Sequence, residues 1–339
     1  MTAHGLITTR RSFIKASGGL AGILALGRAP AIAQGGGPKK MILAHNAAPP
    51  ERAAVVFDWL AKELTQRSNG AWQVEYAGNT ILTKEIDIIN AVKTGNIAMG
   101  TPVGAAATIF PEMGVFLVPY LISSYDQAYK TFNGDVGDQL DKTFQEKYGV
   151  KVLYFFDFGF RHFWNRVRPI TTPRDLRGLK IRVQPSKVFA DTINGLGGVA
   201  VPVPGAEIYT AAQQGVVDGG DMPVANMVPL KLYEVSKYYS LTNHNYGASL
   251  LAINLGVWKT LSSDEQNLLL STGKEAQARH RQSIESYDSL GGAKGQVEPH
   301  GMIVNAGDLN AFKEVAKAKV WPIYQDQYKE IWQKLAAPT

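Results

Sequence analysis

Two arginines stand among residues that otherwise read as strand core. In GLKIRVQPSKVFADT, residues 178–192, Leu179, Ile181 and Val183 alternate with Lys180, Arg182 and Gln184, the period of a half-buried strand. In FGFRHFWN, residues 158–165, Arg161 lies among aromatics and two residues after Gly159. Neither arginine has an obvious acidic partner nearby in the sequence. A guanidinium offers a planar fork that matches a carboxylate in bidentate fashion, so the chemistry on offer is anion capture. The alternatives are a solvated strand face for Arg182, and an internal Asp or Glu partner for either side chain.

Chemistry of other kinds is thinly supported. The chain contains no G-x-S-x-G, no P-loop and no H-E-x-x-H. Gly195-Leu196-Gly197-Gly198 follows a helical pattern rather than a strand and reads as a tight turn. His162 and His244 can approach in space, but no metal-ligand spacing accompanies them. Asp218 and Asp221, in VDGGD, have the types for acid–base work or cation binding, and a turn with capping carboxylates is the simpler reading. No catalytic residue, metal ligand or cofactor is therefore expected.

The elements that must hold the arginines alternate between strand and helix. Residues 41–44, 72–76, 97–99, 151–156, 163–165, 181–184 and 199–203 read as strands. Residues 51–67, 83–93, 186–195 and 207–214 read as helices, with Ile86, Ile89 and Val92 on the apolar stripe of the second. This alternation predicts an α/β chain with a mainly parallel sheet covered on both faces. Residues 263–290 predict one long polar-faced helix able to bridge two lobes.

The amino end reads as an address. Arg10-Arg11 heads TRRSFIK, an apolar run covers residues 16–26, and Ala31-Ile32-Ala33 offers a small-residue cleavage site. The run is too short and too rich in Gly and Ala to span ~30 Å of hydrocarbon. Residues 1–33 are expected to be a Tat-type signal, with the Tat machinery as a partner and Gln34 as the first mature residue. Cleavage would remove Arg10, Arg11, Lys15 and Arg28 and no acid, taking Lys+Arg from 35 to 31 against 29 Asp+Glu. The remaining excess of two positive charges gives no basic stripe for nucleic acid. The absence of cysteine excludes disulfides, thiol catalysis and thiolate-held clusters.

One resemblance unites these features. GFR…NR…RPI…DLRGLKIRV (residues 159–183), EIYTAAQQGVVDG (207–219) and YEVSKY (233–238) resemble the solute-binding proteins of tripartite ATP-independent periplasmic (TRAP) transporters, of the C4-dicarboxylate-binding family. FLVPY (116–120) and GNIAM (95–99) fit the same family. The resemblance implies two α/β lobes closing on a ligand: residues 34–158 with 248–287, and 159–247 with 288–339. It implies a periplasmic, non-enzymatic protein that captures an organic carboxylate and hands it to membrane permease subunits.

By the same resemblance Arg182 clamps the carboxylate and Arg161 assists. Where relatives carry an aromatic ring two residues before Glu207, this chain has Gly205, and where many carry Asn, it has Met222. Those departures, with Trp164, Phe160 and Phe163 nearby in sequence, lead us to expect a bulky apolar or aromatic monocarboxylate. Asn46, just after the first strand, completes the expected ligand set. A Tat-exported enzyme acting on an organic acid is the alternative, separable because a binding protein leaves its bound acid unchanged.

Overall fold

The computed structural model describes residues 37–336. The expected signal, residues 1–33, and its cleavage point lie outside them. The strands, in chain order, are β1 Lys39–His45, β2 Trp72–Gly78, β3 Met99–Gly100, β4 Val150–Asn165, β5 Lys180–Val183, β6 Val199–Pro202, β7 Gly219–Met222, β8 Tyr238–Asn254 and β9 Ile303–Ala306. They form one sheet in the order β2-β1-β3-β8-β4-β7-β5-β6, with β9 added to β8.

The two longest strands organise everything else. β4 and β8 run antiparallel through the whole molecule, and each half of the pair supports a separate parallel system. The start of β4 and the end of β8 lie beside β3, β1 and β2. The end of β4 and the start of β8 lie beside β7, β5, β6 and β9. The fold is α/β with two lobes sharing one sheet. It is mixed rather than mainly parallel, because the β4–β8, β4–β7 and β3–β8 pairings are antiparallel.

Residues 151–156 and 163–165, read from the sequence as two strands, are parts of the single strand β4. Its register with β8 shifts between Asp157 and Phe160, where Gly159 takes φ +89°. A bulge breaks alternation locally, so the pattern looks like a strand end. Almost every β4 residue is buried, because helices cover both faces and favour a continuous apolar run.

Helix α1, Arg52–Arg67, starts where the Glu51 carboxylate accepts from the amides of Ala53 and Ala54. Its Phe57, Leu60 and Leu64 pack with Leu43, Trp72 and Phe156 into one core. Helix α2, Glu85–Thr94, ends at Gly95 in the left-handed conformation that glycine adopts without penalty. Its buried stripe is Ile88, Ile89 and Val92, and the expected Ile86 is instead 47% exposed. The long helix is Ser263–Glu285, opened by a Ser262/Glu265 capping box. It ends before Leu290, where a separate helix, Leu290–Val297, begins. Among the described residues no helix is long and apolar enough to cross a membrane.

Candidate functional site

A cavity of about 350 Å³ opens between segments of the two lobes. Glu85, Gly104, Ala105, Ala107, Thr108 and Leu117 line it from the amino-terminal side. Arg182, Gln184, Pro185, Ser186, Phe189, Pro204 and Gly205 line it from the other.

Arg182 is placed by β5, whose parallel neighbours β6 and β7 fix its backbone between Val201 and Gly220. Ile181 and Val183 are fully buried on one face of the strand, so alternation turns Arg182 to the other. The side chain is only 2% exposed, which sets aside the solvated-face reading of the Lys180, Arg182, Gln184 row. Its Nε donates to the carbonyl of Val203 at 2.9 Å. Among the described residues this is its only hydrogen bond to protein, and no carboxylate lies within ion-pair range of it. Burial lowers its pKa to about 10, the like charge of Arg161 adds to that, and Asp221 offsets part of it. A buried guanidinium held charged without a carboxylate is costly, and an anion in the cavity would relieve it.

Arg161 has its partner already. Its Nε donates to Asp221 Oδ2 at 2.5 Å and its Nη2 to the Asp221 carbonyl. Its guanidinium lies over the Phe189 ring at 4.8 Å, and Phe189 lines the cavity. Asp221 is not in a turn: it lies in β7, opposite Phe163 of β4. Burial alone would push its carboxyl up, but Arg161, with a hydrogen bond from His244, holds it well below the usual carboxylate range. His244, 3.3 Å from Asp221 Oδ2 and stacked on Phe163, is pushed down by its own burial. With Asp221 neutralising one of the two arginines, one positive charge is left facing the cavity.

The amino end of the helix Lys187–Leu196, approached through Pro185 and Ser186, also meets the cavity wall. Its free amides and dipole add positive potential beside Arg182. Gly205 opens the short turn Gly205–Glu207, and a side chain there would meet nothing within 4 Å. Asn46 follows β1 and donates through Nδ2 to Glu85 Oε1 at 3.2 Å, reaching the site through that carboxylate.

The other expected residues are elsewhere. Trp164 is fully buried and Met222 nearly so, in a core cluster with Ile208, Val217 and Tyr239. Neither is among the residues lining the cavity. Phe160 and Phe163 are core as well, packed with Tyr246 and His244. The reason is geometric: β4 is covered on both faces, so its aromatic side chains meet other elements of the core. Sequence reasoning passed over Glu85, Thr108 and Ser186. Glu85 begins α2, and an acid at a helix start is easily read as dipole compensation alone. Among the described residues no group of three His, Asp or Glu side chains is arranged to hold a metal ion.

Comparison with known proteins agrees with this architecture. Residues 43–330 match DctP, bacterial extracellular solute-binding protein, family 7. The C4-dicarboxylate-binding periplasmic protein DctP of Rhodobacter capsulatus is 34% identical over 257 residues, 73% of this chain and 74% of that one. A TRAP periplasmic solute-binding protein from Bordetella bronchispeptica, with density assigned to pantoate, superposes with a TM-score of 0.79 at 27% identity. That match covers 88% of this chain and 99% of the other. Another from Roseobacter denitrificans, with bound L-galactonate, gives a TM-score of 0.76 at 30% identity over 88% and 98% of the two chains. These relatives are solute-binding proteins rather than enzymes. The chain belongs to the DctP family of periplasmic TRAP-type solute-binding proteins.

Proposed function

We propose that the protein captures an organic carboxylate in the periplasm on Arg182 and delivers it to the membrane permease of a TRAP transporter. The observation that carries this reading is the buried Arg182, facing a cavity of about 350 Å³ with no carboxylate of its own among the described residues. Arg161 acts from behind, held by Asp221, and packs its guanidinium against Phe189 of the cavity wall. Relatives of known structure include one with bound L-galactonate and one with density assigned to pantoate, both carboxylates.

Closure would occur about the crossing of β4 and β8, giving lobes of 34–158 with 248–287 and 159–247 with 288–339. The register shift at Asp157–Phe160 supports that division, as does Gly247, which packs its backbone against the Gly159 carbonyl. Export by the Tat route with removal of residues 1–33 completes the reading, supported by Arg10-Arg11.

For the ligand's tail, the space beside Gly205 and the apolar surface of Leu117 and Phe189 leave room for a bulky group. Met222 and Trp164, placed in the core, lend no support to an aromatic tail. A thermal-shift screen of the purified protein against a carboxylate library tests the proposal. A ligand at 100 times its Kd stabilises by about 2.7 kcal/mol, a readily measured shift. No shift with any carboxylate, or chemical conversion of the bound acid, would overturn it.

A further inference from the structure

The strands of the carboxyl-terminal lobe share an end remote from the cavity. Asn165 at the close of β4 pairs with Gly219 and Tyr238, which open β7 and β8. Lys180 and Val199, which open β5 and β6, pair with each other, and Tyr238 pairs with Ile303 at the start of β9. Arg182 and the cavity lie towards the opposite end of β5.

The loops at this remote end bring together six cations, Arg166, Arg168, Arg174, Arg177, Lys180 and Lys237, all but Arg168 exposed, against two acids, Asp175 and Asp218. Backbone contacts make the surface continuous. Arg168 Nη2 donates to the Arg177 carbonyl at 2.6 Å, the Lys180 amide to Asp218 Oδ2 at 2.9 Å, and the Ile303 amide to the Lys237 carbonyl at 2.8 Å. Both acids are engaged within the lobe: Asp218 pairs with Arg166 at 3.2 Å, and Asp175 accepts from the amides of Thr171 and Thr172. The other five cations form no ion pair among the described residues.

Apolar side chains stand between these charges. Val167, Val199, Val216 and Ile303 are each between 45% and 49% exposed. Val167 separates Arg166 from Arg168, and Val199 is the strand partner of Lys180. Val216 follows Gly215, which faces the Arg166 guanidinium, and the Lys237 ammonium lies 5.6 Å above the Tyr238 ring.

We propose that this end of the lobe is a peripheral membrane-binding surface that takes the headgroups of anionic phospholipids. The core of a protein–protein interface is depleted of charge, whereas here each apolar side chain has a cation beside it. A headgroup layer suits that mixture. Guanidinium and ammonium groups meet phosphates, guanidinium as a planar fork, while short apolar side chains enter the edge of the acyl region. The attraction fades within a Debye length, about 8 Å at physiological salt, so the attachment is reversible and salt-sensitive. Because the surface lies away from the cavity, lipid contact leaves ligand entry unobstructed.

Flotation of the mature protein with vesicles tests this. It should bind vesicles of phosphatidylglycerol and phosphatidylcholine in equal parts, ignore phosphatidylcholine alone, and dissociate as salt rises. Arg174→Gln with Arg177→Gln removes two exposed cations whose side chains bond to nothing among the described residues. Binding should weaken about 25-fold, at roughly fivefold for each cation. Val216→Ser should weaken it less and leave the salt dependence unchanged. Lys142→Gln with Lys274→Gln removes the same charge from exposed positions on the other lobe and should have little effect. Unchanged melting curves and ligand affinity show that the variants keep their fold. Equal binding to both kinds of vesicle, no binding at low salt, or equal losses in the two double variants overturns the proposal. Self-association that R174Q with R177Q abolishes, without any vesicle binding, assigns the surface to a second copy of the chain and overturns it as well.

Discussion

Arg161 and Asp221 form a buried charged pair within the carboxyl-terminal lobe, with Nε 2.5 Å from Oδ2 and both side chains nearly out of solvent. Arg182, carried by the strand on the other side of β7, has no such partner among the described residues. The two arginines look equivalent in sequence and are opposites in structure, and the first two expectations exploit that difference.

Arg182→Lys retains the charge and loses the planar fork. Affinity for the bound acid should fall at least tenfold, since loss of a buried charge-assisted partner costs about 2–5 kcal/mol. The ligand-free protein should stay folded, because Arg182 makes only one hydrogen bond to protein among the described residues. Calorimetry and a melting curve separate the two effects. Collapse of the ligand-free variant would make Arg182 a structural residue instead.

Asp221→Asn should do the reverse. It leaves Arg161 buried without a countercharge, a loss of about 3–5 kcal/mol in stability for a broken buried pair. Urea unfolding measures it as a lowered midpoint. Replacing both residues with apolar ones, as Arg161→Met with Asp221→Leu, should recover much of that stability, which a site needed only for ligand binding would not predict.

Gly205→Trp tests the cavity's size. A side chain at that position meets open space, so the folded state should tolerate the ring while the cavity fills. The melting temperature of the ligand-free form should hardly move, and binding of a bulky acid should be lost. Unaltered binding would place the ligand away from Gly205.

Acid sensitivity should reside in buried histidines. His280, stacked on Phe156 within the core, has its pKa lowered to about 3 by burial, and His45 is lowered to about 4 for the same reason. Below the ordinary value of 6.5 the unfolded chain takes up protons at these positions and the folded chain does not. Stability therefore falls as pH drops from 6.5 toward those values, by about 1.4 kcal/mol per pH unit for each histidine. Asp157 has the opposite sign: burial raises it to about 6, so it adds stability as pH falls toward 3.8. Denaturation midpoints measured between pH 7 and pH 4 should decline less steeply in His280→Gln than in the wild type. Equal slopes would show that His280 does not titrate in this way.

How much of this was legible from the residues depends on the range of the interaction. The β5 strand and the facing of Arg182 follow from a local alternation, so a short window contains them. The pairing of Arg161 does not, because Asp221 lies 60 residues further on and looks like part of a glycine turn. β8 is not apparent from the pattern at all. Its buried Ser240, Thr242, Asn245 and Ser249 interrupt the apolar run, yet each makes a hydrogen bond inside the molecule, as Ser240 does with Ile170 and Asn305 and Asn245 Nδ2 does with the Leu117 carbonyl. Trp164 and Met222, expected at the ligand, lie in the core, since a sequence gives the neighbours of a strand residue but not which layer covers it.

The shared pair β4–β8 also constrains the order in which the molecule can be made. The amino-terminal lobe is built from early residues, but Met99 of β3 pairs with Ile253 of β8, 154 positions later by subtraction. Its apolar core waits longer still, for Leu269 and Ala276 of the helix Ser263–Glu285. A chain emerging from the ribosome therefore carries its first lobe unfinished until most of the second has been synthesised. Contacts of such sequence separation form slowly and leave strand edges unpaired in the interval. The protein should behave as one cooperative folding unit despite its two lobes, and its first half, made alone, would expose the side of the sheet that β8 covers.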